Sequence, residues 1–208
     1  MAKTAARSAR VIYVGAMSHS LIAISAAVLA VLVLIPGSAR AAVSEDFNVY
    51  VAPVGACVGD SVVAGPAASE QQTMACLVNW ARVKRGLKPL HVNSKLRVAA
   101  EFKIADDLRC NDFSHTPCGT RFLSVFQRSG YLVPSVRGWA VGENLAWGQS
   151  DLASPRAIIT AWLNSPPHRA NLFDPRWTEI GINYQASMSF LGYDGVGLWA
   201  SEFGQTHP

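Results

Sequence analysis

Two histidines and two glutamates are the side chains of this sequence best suited to acid–base or metal chemistry. His115 stands in the segment FSHT (113–116), and Glu143 stands in GEN (142–144), directly before an apolar run. His168 follows two prolines, and Glu179 precedes Ile180. Imidazole and carboxylate groups act as general acids and bases near neutral pH, and both bind divalent metal ions. These four residues are the candidate site.

Each of these residues also has a purely structural interpretation. A single loop histidine such as His115 is usually only solvated. A carboxylate that enters an apolar strand needs a partner, and a nearby arginine would supply one for Glu143. The prolines before His168 are expected to end a helix, so His168 and Arg169 would occupy a rigid turn and could cap that helix. Glu179 begins a strand on the side opposite Ile180, where we expect solvent.

A metal site is the most specific chemistry that these residues could support. Two histidines and a glutamate form a ligand set that zinc accepts. His115 and His168 would be the histidine ligands, and the ion would be zinc or magnesium. The ligands would come from three separate segments, and the chain has no HExxH helix, GxSxG elbow, phosphate-binding loop or dinucleotide fingerprint. Spacing alone therefore establishes neither an enzyme nor a cofactor.

The four cysteines predict two disulfides in an exported chain. Three pairings exist, and Cys110 with Cys118 is the easiest because these two flank a short loop. That leaves Cys57 with Cys76, which would tie the N-terminal segment to the first helix. Four free thiols are the alternative, and the spacing is not typical of a metal site. A Cys110–Cys118 bond would enclose His115 in a loop that fixes where its imidazole points.

Residues 1–41 have the pattern of a secretory signal peptide. A basic stretch without acidic residues precedes the uncharged apolar run 21–36, and ARA (39–41) fits a cleavage site. The apolar run is slightly shorter than the about 20 residues of a spanning helix. An uncleaved membrane anchor is the alternative. We therefore predict a secreted protein that would contact a membrane only through an uncleaved leader.

The chain without this leader carries no net charge. The leader holds four of the 18 Lys and Arg residues and none of the 14 Asp and Glu residues, which leaves 14 basic residues against 14 acidic ones. Nucleic-acid binding would need a clustered basic surface, so we expect no nucleic-acid partner. The remaining length suits one domain with its own core, and we expect a monomer.

Four helices are predicted after an N-terminal arm or linker at 42–68. Apolar residues recur at helical spacing in each of them. The expected N-terminal cap residues are Ser69 (in the capping box SEQQ), Asn93, Thr120 and Ser154. The expected ends are Gly86 for the first helix, Gly130 for the third, and Pro166-Pro167 for the fourth.

The C-terminal part changes to the period of a β-strand. Apolar residues alternate over 180–184 and again over 196–200, with glycine-containing turn residues at 192–195 between them. Residues 142–147 fit a third, short strand. Helices first and strands late favour an α+β domain with an antiparallel sheet.

Five segments, taken in order, carry a family resemblance. They are CLVNWARVKRGLKPL (76–90), FSHT (113–116), GENLAWG (142–148), AWLNSPPHRANLFDPRWTEIGI (161–182) and GLWASEFG (197–204). Together they resemble the bacterial branch of the CAP superfamily, the SCP-like extracellular proteins, which also includes cysteine-rich secretory, antigen-5 and pathogenesis-related-1 proteins. The resemblance implies an α–β–α sandwich with a small antiparallel sheet, and a CAP domain over 69–208. The arrangement of Cys57 and Cys76 is similar to that of actinobacterial relatives.

The resemblance also implies a cleft lined by two histidines and two acidic residues. His115 matches the first histidine, and Glu143 matches the glutamate of the GEN motif. Arg176 stands where the eukaryotic branch has its second histidine, and the second acidic residue has no clear counterpart. The bacterial branch offers His168 of its HRxN motif instead. The eukaryotic set of four is thus only half present.

Three functions are compatible with these observations. The leading hypothesis is a non-enzymatic extracellular binding module for a lipid, a sterol or a cell-envelope component, since family members have been associated with sterol or lipid binding. The second is a metal-assisted peptidase or cell-wall hydrolase with His115 as base and Glu143 as acid or orienting group. The third is a structural or adhesion protein in which His115, Glu143 and His168 form a buried hydrogen-bonded network.

Overall fold

The fold is taken from a computed structural model that describes residues 12–16, 45–61, 65–136 and 138–207. The predicted leader, apart from 12–16, and its predicted cleavage site lie outside the described residues. In the part of the chain that the structure describes, no helix is long and apolar enough to cross a membrane.

The described residues form five α-helices. They are α1 (Ala67–Lys84), α2 (Ser94–Cys110), α3 (Ser124–Arg128), α4 (Pro155–Asn164) and α5 (Pro166–Leu172). Asn93 caps α2 as predicted, because its side-chain oxygen accepts the N–H groups of Lys95 at 2.9 Å and Leu96 at 3.2 Å. Ser154 likewise caps α4 by accepting the N–H of Ala157 at 3.3 Å.

The predicted start of α1 is wrong. The helix begins directly after Pro66, which makes no side-chain cap bond, and Ser69 lies inside the first turn. The expected capping box is therefore not formed. Instead, the carboxyl of Glu70 folds back and accepts the N–H of Gly65 at 2.7 Å, which ties the preceding segment to the helix start.

The predicted start of α3 is also wrong. Thr120 does not cap this helix. Its backbone N–H closes a short 3-10 turn at Pro117–Gly119 by donating to the Pro117 carbonyl at 3.1 Å, and its hydroxyl donates to the same carbonyl at 2.9 Å. The helix forms only from Ser124 onwards. Gly130, with φ +73°, follows the helix as expected.

Pro166 and Pro167 separate two helices rather than leading into a turn. They end α4, since proline has no N–H to continue the ladder, and they occupy the first positions of α5, where a missing N–H costs nothing. His168 therefore lies on a short helix, which corrects the predicted rigid turn.

The described residues form a five-stranded sheet. The strands are β1 (Ile12–Ala16), β2 (His91–Val92), β3 (Gly138–Gln149), β4 (Glu179–Phe190) and β5 (Tyr193–His207). Their order in the sheet is β1-β3-β5-β4-β2. Strands β3, β5 and β4 are antiparallel as predicted, and β3 is longer than expected. The two-residue strand β2 pairs in parallel with β4, so the sheet is mixed.

The turn between β4 and β5 is tighter than predicted. Leu191 and Gly192 form a two-residue connection with φ of +52° and +80°. Positive φ at both positions matches the twist of a hairpin. Gly195 already belongs to β5.

The two faces of the sheet are covered by different helices. One face carries Ile182, Trp199 and Phe203 and packs against residues of α1 and α4. The opposite face carries Leu145 and Leu198 and packs against α2. Helix, sheet and helix form three layers, which is the predicted α–β–α sandwich of the α+β class.

Both predicted disulfides are present. Cys57 pairs with Cys76 and joins the N-terminal arm to α1. Cys110 pairs with Cys118 and closes the loop after α2, eight residues apart in sequence. His115 lies inside this second loop.

Candidate functional site

His115 and Glu143 are brought together as the sequence predicts. His115 comes from the loop after α2, and Glu143 comes from β3 on the face that α2 covers. Nδ1 of the imidazole is hydrogen-bonded to Oε1 of Glu143. The His115 side chain is 12% exposed, while that of Glu143 is fully buried. An ionised Glu143 only accepts hydrogen bonds, so the imidazole would then donate to it from Nδ1.

A buried acid cluster stands behind this contact. It consists of Lys103, Asp107, Glu143 and Glu202, and each of the four is at most 1% exposed. Glu202 lies directly opposite Glu143 in the β3–β5 register. Lys103 donates to Asp107 Oδ1 at 2.8 Å and to the carbonyl of Ser114. The second bond ties the cluster to the His115 loop.

The burial of this cluster changes how its acids ionise. Burial raises the pKa of Asp107 to about 7, against the opposing effect of Lys103. Burial also raises the pKa of Glu202 well above its ordinary value, and the neighbouring Glu143 raises it further. The buried acid cluster therefore retains protons at neutral pH.

His168 lies against the opposite face of the sheet and is 2% exposed. Its Nδ1 is hydrogen-bonded to Ser165 Oγ at 2.8 Å, and its ring centroid lies 6.4 Å from that of Trp162. Burial, together with charge repulsion from His115, lowers the pKa of His168 to about 4. His168 is thus a neutral histidine at pH 7, within electrostatic reach of His115.

Asn171 fastens α5 to β3 at the position of Glu143. Its side-chain amide donates to the Glu143 carbonyl at 2.9 Å and to Asn144 Oδ1 at 3.1 Å. Asn144 in turn donates to the carbonyl of His168 at 3.1 Å. The HRxN and GEN motifs therefore meet through a buried amide network, which holds the backbone beneath Glu143.

Glu179 is not part of this site. Its carboxylate accepts hydrogen bonds from Asn93 Nδ2 at 2.6 Å and from the hydroxyl of Tyr131 at 2.8 Å. The expectation that Glu179 faces solvent is wrong, because these two side chains cover it and leave it half-buried. Its contacts join β4 to the start of α2.

The two histidines form hydrogen bonds with different side chains. His115 contacts Glu143, whereas His168 contacts Ser165. Among the residues that the structure describes, no three His, Cys, Asp or Glu side chains are grouped so that they could hold a metal ion.

Three members of the buried acid cluster were missed by the sequence analysis, although the sequence contains signals for them. Glu202 continues the alternation of Leu198 and Ala200, so it lies on the same buried face. Lys103 and Asp107 lie on the helical stripe of α2 that packs on the sheet. Both signals were obscured because charged residues are normally assigned to the surface.

A second candidate surface lies on the outer side of α1. A groove of about 380 Å³ is lined by Cys76, Asn79, Trp80, Val83 and Lys84, and we call it the α1 groove. Trp80 is 40% exposed and Val83 is 58% exposed. Large apolar side chains exposed next to one another often mark a binding surface.

The fold and the GEN–HRxN junction define a class of protein. The sequence profile of the cysteine-rich secretory protein family, CAP, matches residues 76–191, which is more than half of the chain. The chain belongs to this family, as the resemblance implied.

Particular relatives support the same assignment. The chain is 33% identical to the Bacillus subtilis (strain 168) protein YkwD over 127 residues, which are 61% of this chain and 44% of that protein. The chain thus spans less than half the length of this relative.

Two solved structures share the fold. An extracellular protein containing an SCP domain from Bacillus anthracis has a TM-score of 0.51 and 24% identity, over 66% of this chain and 40% of that chain. An outer surface protein from Borrelia burgdorferi has a TM-score of 0.54 and 20% identity, over 66% of this chain and 93% of that chain. These similarities confirm the predicted CAP-like fold.

Proposed function

We propose that this protein is an exported, non-enzymatic CAP-domain binding module that takes a lipid or sterol in the α1 groove. The observation that carries the proposal is the exposure of Trp80 and Val83 side by side on a helix whose other face is in the core. A groove of about 380 Å³ is within the usual size of small-molecule sites. Export is supported by the leader pattern and by the extracellular or surface location named for the two structural relatives.

The surroundings of the α1 groove extend its apolar character. Val58, 88% exposed, follows Cys57, whose disulfide to Cys76 attaches it beside the groove. Its carbonyl accepts the hydroxyl of Thr73 at 2.6 Å, one turn of α1 before Cys76. Lys84, the last residue of α1 and part of the groove lining, would pair with the acidic head group of a lipid. An apolar surface with a cation beside it suits an amphiphile.

Burial of Glu143 argues against the role of general acid that a hydrolase would give it. Glu143 is fully buried, and its Oε1 is already bonded to His115. A general acid must come within hydrogen-bonding distance of the substrate atom that it protonates. Glu143 does not meet this condition in the described arrangement.

The test is a titration of the full chain with a fluorescent fatty acid and, separately, with a fluorescent sterol. We expect saturable binding of at least one. The double variant Trp80→Ser/Val83→Asp should weaken it about tenfold or more, since burying one large apolar side chain contributes about 1.5–3 kcal/mol. Tyr193→Ser, which removes another aromatic side chain of 40% exposure, is the matched control.

The outcomes separate the proposed functions. Binding that survives the double variant would place the ligand outside the α1 groove. Binding of isolated cell-wall fragments but of neither lipid nor sterol would replace the ligand class by an envelope polymer. Peptide or peptidoglycan turnover that disappears in His115→Ala would favour the hydrolase.

A further inference from the structure

Glu143 and Glu202 are two buried acids placed directly opposite each other. They pair across β3 and β5, so their side chains share one face of the sheet, and neither is exposed. The Cβ atoms of such a pair lie about 5 Å apart. Two like charges at this separation repel strongly when water is excluded, and each also loses its hydration. The two carboxyls are therefore not both ionised at the same time.

The surrounding charges do not compensate this pair. Lys103 of α2 is the one cation in the cluster, and its ammonium group is bonded to Asp107 at 2.8 Å. Asp112, two residues after the end of α2, adds further negative potential at Asp107. His115 contacts Glu143 from the loop. Even with His115 protonated, at most two cations face the three buried carboxyls, which favours a neutral form of at least one carboxyl.

The hydrogen bonding indicates where that proton sits. Among the described residues, no donor reaches either oxygen of Glu202 or Oε2 of Glu143. Oε1 of Glu143 already accepts from His115. A proton on Glu202 would donate to Glu143 and satisfy a buried acceptor that otherwise lacks a partner. A proton on Glu143 would leave His115 facing a neutral acid.

We infer that Glu202 holds a proton at neutral pH and donates it to Glu143, so that His115, Glu143 and Glu202 form one hydrogen-bonded chain that fixes the charge next to His115 and the tautomer of its ring. Glu202 is a positioning residue, since it acts on His115 only through Glu143. Of the three, only His115 has an exposed surface, so it is where a ligand or solvent would reach this chain. The inference does not depend on the proposed lipid site.

The test compares two glutamine variants by NMR titration of the histidine rings in the full chain. Glu202→Gln replaces a neutral donor by another neutral donor, so the midpoint of the His115 titration should stay within a few tenths of a pH unit. Glu143→Gln removes the charge beside His115, so the midpoint should fall by about one pH unit or more. Glu179→Gln, at a glutamate outside the cluster, is the matched control and should leave it unchanged.

Two results would overturn the inference. A shift in Glu202→Gln without one in Glu143→Gln would place the proton on Glu143. Comparable shifts in both variants would mean that both carboxyls are ionised in the wild-type chain.

Infrared spectroscopy keeps the inference testable if a variant does not fold. With the glutamate carboxyl carbons isotope-labelled, the unmodified chain should show a neutral carboxylic acid at neutral pH. Glu202→Gln should remove this signal. Glu70→Gln should not, although burial also raises the pKa of Glu70. Absence of any neutral glutamate in the wild-type spectrum would contradict the shared proton.

Discussion

His168 and Asp107 link the folded state to pH with opposite signs. Burial lowers the pKa of His168 from 6.5 to about 4. Between these two pH values the unfolded chain binds a proton at this histidine and the folded chain does not. The contribution of His168 to stability is present above about pH 6.5 and is lost as pH falls towards 4. Burial raises the pKa of Asp107 from 3.8 to about 7, so its contribution is present below about pH 4 and is lost as pH rises through 7.

Replacing His168 should change how the free energy of unfolding depends on pH. Between about pH 6.5 and 4, this histidine costs up to about 1.4 kcal/mol of unfolding free energy per pH unit of acidification. In His168→Gln that cost disappears, so the variant should gain stability relative to wild type as pH falls. Denaturant unfolding at several pH values measures this. The exposed His91→Gln is the control, and a wild-type pH slope in His168→Gln would disprove the account.

Replacing Asp107 should have the opposite effect on the pH slope. Asp107→Asn removes the proton uptake that favours the folded state, so acidification from pH 7 to 4 should cost more stability than in wild type. It also leaves the buried Lys103 ammonium without a carboxylate partner, which should cost about 3 kcal/mol or more at neutral pH. Asp106→Asn is the comparison, and its loss should be smaller because its partners Arg109 and Arg128 are largely solvated. Equal losses would contradict the burial argument.

At the scale of elements, the contact of α2 with β4 depends on one glycine. A Cβ added at Gly181 would lie 2.0 Å from the backbone carbon of Leu96 in α2. The helix would have to move away from the sheet and from the buried acid cluster that it covers.

Gly181→Ala should therefore destabilise the domain by about 3 kcal/mol or more, as overpacking against backbone does. Gly142→Ala is the matched comparison, because its Cβ would meet the ring edge of Trp177 at 2.9 Å rather than backbone. We expect the Gly142 variant to lose less in denaturant unfolding. The reverse order would show that α2 can shift at little cost.

The two disulfides should differ in their effects. They close loops with sequence separations of 19 for Cys57–Cys76 and eight for Cys110–Cys118. By loop-closure entropy, replacing either pair with serine should cost about 3 kcal/mol, slightly more for the longer loop. Only loss of Cys110–Cys118 should also shift the His115 titration, because that loop holds the imidazole at Glu143. A His115 titration that is unchanged without this bond would show that the loop does not position it.

The sequence predicts this architecture well where the signals are local. Asn93 and Ser154 cap their helices as expected, because an N-cap depends only on the next few residues. Ser69 and Thr120 fail because other partners, Gly65 with Glu70 and the carbonyl of Pro117, determine the local geometry.

The site is less predictable than the elements. The meeting of His115 and Glu143 follows from the family resemblance. The role of Glu202 depends on which residue of β3 lies opposite it, and strand register is a tertiary property that no local pattern fixes.

On the scale of the whole molecule, the sheet separates two surfaces. The buried acid cluster lies between the sheet and α2, whereas the α1 groove lies on the outer side of the helix that packs on the opposite face. Substitutions at distant sites without shared partners have additive effects on stability and binding. Glu202→Gln should therefore leave lipid affinity unchanged, and Trp80→Ser should leave the His115 titration unchanged. Non-additive effects of the two substitutions in a double variant would show that the two sites are energetically coupled.

The most direct test of the proposed function is to map the ligand by NMR on the full chain with a fatty acid and with a sterol. We predict that chemical shifts change first at Trp80, Val83 and Lys84 and that the change saturates with ligand concentration. Saturating changes confined to His115 and its loop, or no changes with either ligand, would contradict it.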